Sequence, residues 1–238
     1  VIATVTHDGN IQLWEVASGA ELFGLQDAPP NEAAAVQFSP DGRVLGSAMS
    51  DGTVLIWSLN PPGWKPPTAP PTAGQRERLW EDLAGEPRQA YRAALTLAAD
   101  DRAVPFLAKR LPRVEPESLE RIQQLISDLD DDSFGKREAA STALGRLASQ
   151  AEKALRRTAR RHPSPEAARR LKALLKRLDS CFLTDPATLR EVRAVGVLRR
   201  IGTPAACAVL QHVAGGAPQA AQTRAARTAL QAIKKQPR

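Results

Sequence analysis

The feature that most constrains this chain is a change in hydrophobic period across a run of prolines. Before residue 60 the apolar residues alternate, which is the period of a half-buried β-strand. From Gln75 onward they recur every three or four residues, which is the period of an amphipathic helix. Between the two lie Pro61, Pro62, Pro66, Pro67, Pro70 and Pro71. Proline cannot donate to a strand ladder, so no strand follows Leu59 directly. This composition predicts an extended spacer over 61–74 that separates a β-domain at 1–60 from an α-domain at 75–238.

Charge divides along the same line. Residues 1–60 hold one base against seven acids, net −6, whereas the whole chain of 238 residues is +7. Two surfaces of opposite sign are expected.

Within the first sixty residues the phrase Asp-Gly-x-(Val/Ile)-x-(Leu/Ile)-Trp occurs twice, at Asp8–Trp14 and Asp51–Trp57. Asp-Gly suits tight hairpins because both residues tolerate a positive φ. The 43-residue offset lies in the range of a known repeat class. On these residues the segment resembles the WD-repeat family. The resemblance implies about one and a half blades of a β-propeller, with 33–59 as the final blade. It also implies structural roles for Asp8, Gly9, Trp14, Ser47, Asp51, Gly52 and Trp57. Ser47, Asp51 and Trp57 match three members of that family's Ser-His-Asp-Trp hydrogen-bond network. The residue after the strand tryptophan departs from the family's aspartate, being Glu15 in one copy and Ser58 in the other.

The helical half shows stripes such as Leu119, Ile122, Leu125, Ile126 and Leu129, or Leu189, Val192, Val195, Leu198 and Ile201. Start signals agree with them. Ser164-Pro165, Asp185-Pro186 and Gly202-Thr203-Pro204 place a cap before a first-turn proline. Asp132 is expected to cap the helix that contains Lys136. The stretch from Leu189 to Gly216 resembles a HEAT-like repeat, so the predicted fold class is a partial propeller followed by an all-α HEAT-like repeat domain. The whole resembles bacterial WD-repeat proteins with a helical C-terminal extension.

No catalytic constellation emerges. His7, His162 and His212 lack a nucleophile and orienting acid at recognisable spacing. Cys181 and Cys207 have neither disulfide-framework nor zinc spacing, and Asp128, Asp130, Asp131 and Asp132 lack the glycine and terminal glutamate of a calcium loop. No metal or cofactor is expected, and no apolar run is long enough to cross a membrane. Val1 reads as lying inside a strand, so the N-terminus is expected to be a cut edge, with a cytoplasmic setting favoured.

The densest charge lies at residues 133–177, where 13 bases face three acids. Lys153, Arg156, Arg157, Arg160 and Arg161 share one helical face, and Arg169, Arg170, Lys172, Lys176 and Arg177 follow on the next helix. Such a field attracts an acidic protein surface or a phosphate backbone. The segment has no interleaved aromatics for base stacking, which ranks nucleic acid behind protein. The functional expectation is a non-catalytic scaffold for protein partners. The alternatives are nucleic-acid or acidic-partner binding by the basic helical face 153–177, and an accessory region of an enzyme whose catalytic domain lies upstream.

Overall fold

The computed structural model describes residues 1–6, 10–25, 33–161, 163–179 and 182–235, without the side chains of 33, 34 and 148. His7, Asp8, Gly9, His162 and Cys181 therefore lie outside the described residues. The chain forms two compact units. The first comprises Val1–Pro112, Phe182–Gln211 and Ala225–Arg238; the second comprises Arg113–Cys181 and His212–Arg224.

The first unit holds two antiparallel sheets of three strands each. One is built from β1 (Ile2–Val5), β2 (Ile11–Trp14) and β3 (Glu21–Leu25), and the other from β4 (Ala33–Phe38), β5 (Val44–Met49) and β6 (Val54–Ser58). The turn glycines Gly42 and Gly52 have φ of 66° and 87°, which the Asp-Gly dipeptides anticipate. Ile11, Leu13, Leu22, Phe23, Leu25, Leu45 and Leu59 make one core, joined by Tyr91 of helix α2 (Pro87–Ala98).

The fold expectation needs correction. Among the described residues the structure has two small sheets, not a set of propeller blades, followed by about ten helices, and is about 55 % helical. One physical reason lies in what packs on the first sheet. Helix α2 lies against β3, and Glu15 is held by an arginine of helix α8 (Pro186–Ile201). Helices, not neighbouring blades, thus pack against the first sheet and its β2–β3 turn.

The HEAT-like repeat domain is corrected with it. Helices α1 (Ala73–Asp82), α2, α3 (Ala103–Ala108) and α8 belong to the unit that carries the sheets. Helices α4 (Leu119–Ser127), α5 (Phe134–Arg146), α6 (Ala148–Ala159) and α7 (Pro165–Asp179) build the second unit. Helical periodicity shows that a helix has a buried face and is silent about which element covers it.

The proline segment is not a free spacer. Pro61 and Pro71 are buried, and the Leu59 carbonyl accepts from the Tyr91 hydroxyl at 2.9 Å. The Pro62 carbonyl accepts from Arg92, and Trp64 Nε1 donates to Thr96 Oγ1 at 3.3 Å. Lacking donors, the prolines leave their carbonyls to side chains of α2.

The second unit's core gathers Ile122, Leu125, Leu129, Ala140, Leu144, Leu155, Leu171 and Leu174. Leu119, part of the expected stripe, is instead 64 % exposed. The caps at Asp185 and Ser164 form: Thr188 N donates to Asp185 and Ala167 N to Ser164 Oγ. Gly202 ends α8 in the left-handed conformation, and Thr203 Oγ1 accepts from Ala206 N after it. Asp132 does not cap α5; that position belongs to Ser133. The neighbouring Asp131 accepts from Ser133 N and pairs with Lys136, which hold its carboxyl below the usual range.

Gly216, in the second unit, follows helix α9 (Pro204–Ala214). A Cβ there would lie 2.8 Å from the Val114 carbonyl oxygen and 2.9 Å from Thr223 Oγ1. Backbone must move to admit it, so Gly216→Ala is expected to cost about 1–3 kcal/mol. Thermal unfolding followed by far-UV circular dichroism reads this. Gly74→Ala, where nothing lies within 4 Å of the added carbon, should be neutral or slightly stabilising.

Candidate functional site

Helix α6 forms because Ala151, Ala154 and Leu155 bury one face among the leucines of α4 and α7. The opposite face is left to long cationic side chains, whose stems pack while their heads reach water. Lys153, Arg156, Arg157, Arg160 and Arg161 line one shallow recess of about 470 Å3 at the C-terminal end of this helix. The helix carbonyls there carry partial negative charge, which moderates the repulsion among five cations.

The five are not equivalent. Arg156 donates from Nε to Glu152 at 2.9 Å and from Nη2 to Asp179 at 2.5 Å. The Asp179 bond, then the Glu152 bond, raises its already high pKa. Lys153, Arg157, Arg160 and Arg161 make no side-chain hydrogen bond or ion pair among the described residues. Arg156 is therefore fixed in place, and four cations stand free around it.

The second expected set does not join this recess. On α7, Arg170 is 9 % exposed at its side chain and bridges Glu138, Ser141 and Glu166. Arg169 chelates Glu166 from the preceding turn. The bonds from Arg169 and then Arg170 hold the Glu166 carboxyl below its usual range. Lys172, Lys176 and Arg177 are exposed. The ten cations thus divide into a recess of five, a neutralised pair and three solvated side chains. Sequence spacing found the recess. The pairing of Glu166 with Arg169 and Arg170 at i,i+3 and i,i+4 was also readable and was missed, whereas the pairing of Arg170 with Glu138 depends on packing.

Among the structural residues, Trp57 Nε1 donates to Ser47 Oγ at 2.8 Å. Asp51 receives Thr53 N at 2.8 Å within its turn. Trp14 Nε1 makes the matching bond to Thr4 Oγ1 at 2.8 Å. Both bonds span ten residues, and the two pairs are offset by 43 positions. The duplication is therefore structural as well as lexical.

Two buried ionic centres escaped sequence reasoning. Arg193, 6 % exposed, donates from Nε and Nη2 to Glu15, both at 2.7 Å. Its Nη1 donates to the carbonyls of Leu83 and Gly85 at 2.7 and 2.9 Å. Arg76 donates from Nε to Asp100 at 2.6 Å, with Asp100 fully buried. The signal for the first was present: Glu15 replaces the aspartate that the resemblance expects.

A second recess of about 600 Å3, lined by Pro67, Pro71, Glu77, Arg78 and Glu81, is mixed in charge. Its Glu77 and Glu81 are engaged by Arg110 and Arg190. His212 is exposed on α9, and Cys207 is a free thiol. Among the described residues no three His, Cys, Asp or Glu side chains are grouped to hold a metal ion. No described helix is long and apolar enough to cross a membrane. Comparison with protein-family models, with curated proteins and with solved structures finds no match.

Proposed function

We propose that this chain is a non-catalytic binding module that docks an acidic protein segment into the basic recess of its second unit. The observation that carries the reading is the recess itself: five cations line it, and four of them lack an anionic partner among the described residues. Like charges held together without counter-charge repel, and a bound anion relieves that repulsion. Carboxylates suit guanidinium groups because the two planar forks make paired hydrogen bonds. Nothing aromatic lines the recess, so a nucleobase finds no stacking platform there.

The test uses fluorescence anisotropy with a labelled oligoglutamate peptide and, separately, a single-stranded oligonucleotide of equal charge. The peptide is expected to bind at low salt and to weaken as the screening length falls to about 8 Å at physiological ionic strength. The triple reversal Arg157→Glu, Arg160→Glu, Arg161→Glu should weaken it by about tenfold or more. An equal reversal at the exposed Lys65, Arg102 and Lys109 of the first unit should weaken it far less. Binding of the oligonucleotide but not the peptide transfers the site to nucleic acid; binding of neither removes it.

A further inference from the structure

The 43-residue duplication aligns β1 and β2 with β5 and β6: Ile11 corresponds to Val54, Leu13 to Ile56 and Trp14 to Trp57. The two copies differ at one edge. In the first, β2 is paired on both sides, by β1 and β3. β3 runs antiparallel to it, with Ile11 opposite Leu25 and Leu13 opposite Phe23. In the second, among the described residues, β6 pairs only with β5 and ends its sheet. The two copies also differ in how far one sheet face is covered. Ile11 and Leu13 are fully buried, whereas Val54 is 65 % exposed and Ile56 69 % exposed.

The backbone is open at the same residues. Thr53 and Leu59 bond toward β5, through Met49 N to Thr53 O and Leu59 N to Arg43 O. Alternation then turns the N–H and C=O groups of Val54, Ile56 and Ser58 away from β5. The other sheet edges have neighbours: β3 lies against α2, and β1 beside β4. β6 carries none of the usual guards, having no charge, no proline and no register shift against β5.

We infer that β6 is a strand-addition site and that its occupant is β6 of a second copy of this chain, antiparallel about a two-fold axis at Ile56. This inference is independent of the basic recess. Self-pairing fits because the outward residues are complementary to themselves. Ile56 meets its copy, Val54 meets Ser58 of the second chain, and Ser58 meets its Val54. All three outward residues of the five-residue strand are used. Such a contact is isologous and closes at two chains. No charge on β6 opposes its own image, and Pro61 bounds the pairing beyond Leu59.

Sedimentation equilibrium of the full chain, from micromolar to millimolar concentration, reads the association. The mass should rise from 25.6 kDa toward twice that value. Ile56→Lys places two ammonium groups directly opposite and should raise the dissociation constant about tenfold or more. Because Ile56 is 69 % exposed, the monomer tolerates this change, and circular dichroism checks it. Cross-linking in a Cys181→Ser, Cys207→Ser background tests the register. Ile56→Cys should form an inter-chain disulfide on oxidation, since directly opposed residues there lie about 5.5 Å apart. Val54→Cys alone should not, but should do so together with Ser58→Cys. A monomer throughout, a dimer indifferent to Ile56→Lys, cross-linking at 54 alone, or open-ended aggregation each overturns the inference.

Discussion

Arg193→Ala is expected to lower the stability of the first unit by about 3–5 kcal/mol, the cost typical of removing one partner from a buried ion pair. Arg193 is 6 % exposed and Glu15 15 % exposed, so water does little to replace the lost contact. The guanidinium uses Nε, Nη1 and Nη2 at once. It makes a two-pronged bond to Glu15 and donates from Nη1 to the carbonyls of Leu83 and Gly85. The substitution therefore leaves a carboxylate and two carbonyls without their donor. Ser18 Oγ also donates to Glu15, so the carboxylate keeps one neutral partner.

The measurement is a denaturant unfolding curve read by tryptophan fluorescence. All four tryptophans, Trp14, Trp57, Trp64 and Trp80, lie in the first unit, so the signal reports that unit alone. Arg193→Lys should recover only part of the loss, because one ammonium cannot hold the planar fork and both carbonyls together. Glu15→Gln keeps the shape and removes the charge. It should cost less than Arg193→Ala, since the guanidinium retains its two carbonyl acceptors. Equal losses in the two variants would mean that the carboxylate alone matters and the carbonyl bonds contribute nothing.

This centre also shows how far the sequence could be read. The strands were legible because alternation and Asp-Gly turns are local properties: Gly42 and Gly52 have the positive φ that the turns require. The helix boundaries at Ser164, Asp185 and Gly202 were legible for the same reason. What covers each element was not. Arg193 sits within the apolar stripe of α8, beside Ala194 and Val195, where periodicity marks only a buried face. Its partner lies 178 positions away, and no local pattern encodes that pairing. Resemblance supplied neighbouring propeller blades, where the structure packs helix α2 against β3.

The basic recess shows the complementary case. Its five cations lie within nine residues on one helix and its end, so spacing alone brought them together. The neutralisation of Arg170 by Glu138, 32 positions away, depended on packing. Legibility thus follows sequence separation rather than chemical type.

The deepest ion pair sets the second large effect. Asp100 is fully buried and Arg76 is 9 % exposed at its side chain. Asp100 accepts from Arg76 Nε at 2.6 Å and from Arg102 N at 3.1 Å, and Arg76 Nη2 donates to the Pro71 carbonyl at 2.7 Å. One guanidinium thus neutralises a buried carboxylate and ties down the end of the proline segment just before α1. Arg76→Ala leaves that carboxylate with a single neutral donor and should cost about 3–5 kcal/mol. The double variant Arg76→Met, Asp100→Leu removes both charges and should cost markedly less than the sum of the single changes. Its remaining penalty is the unpaired Pro71 carbonyl and Arg102 amide. Hydrogen exchange separates the two roles. Arg76→Ala should raise exchange at Trp64, whose amide donates to the Pro61 carbonyl, more than Asp100→Asn does, because only the first releases Pro71. Strict additivity of the single costs in the double variant would show that the pair contributes no coupling at all.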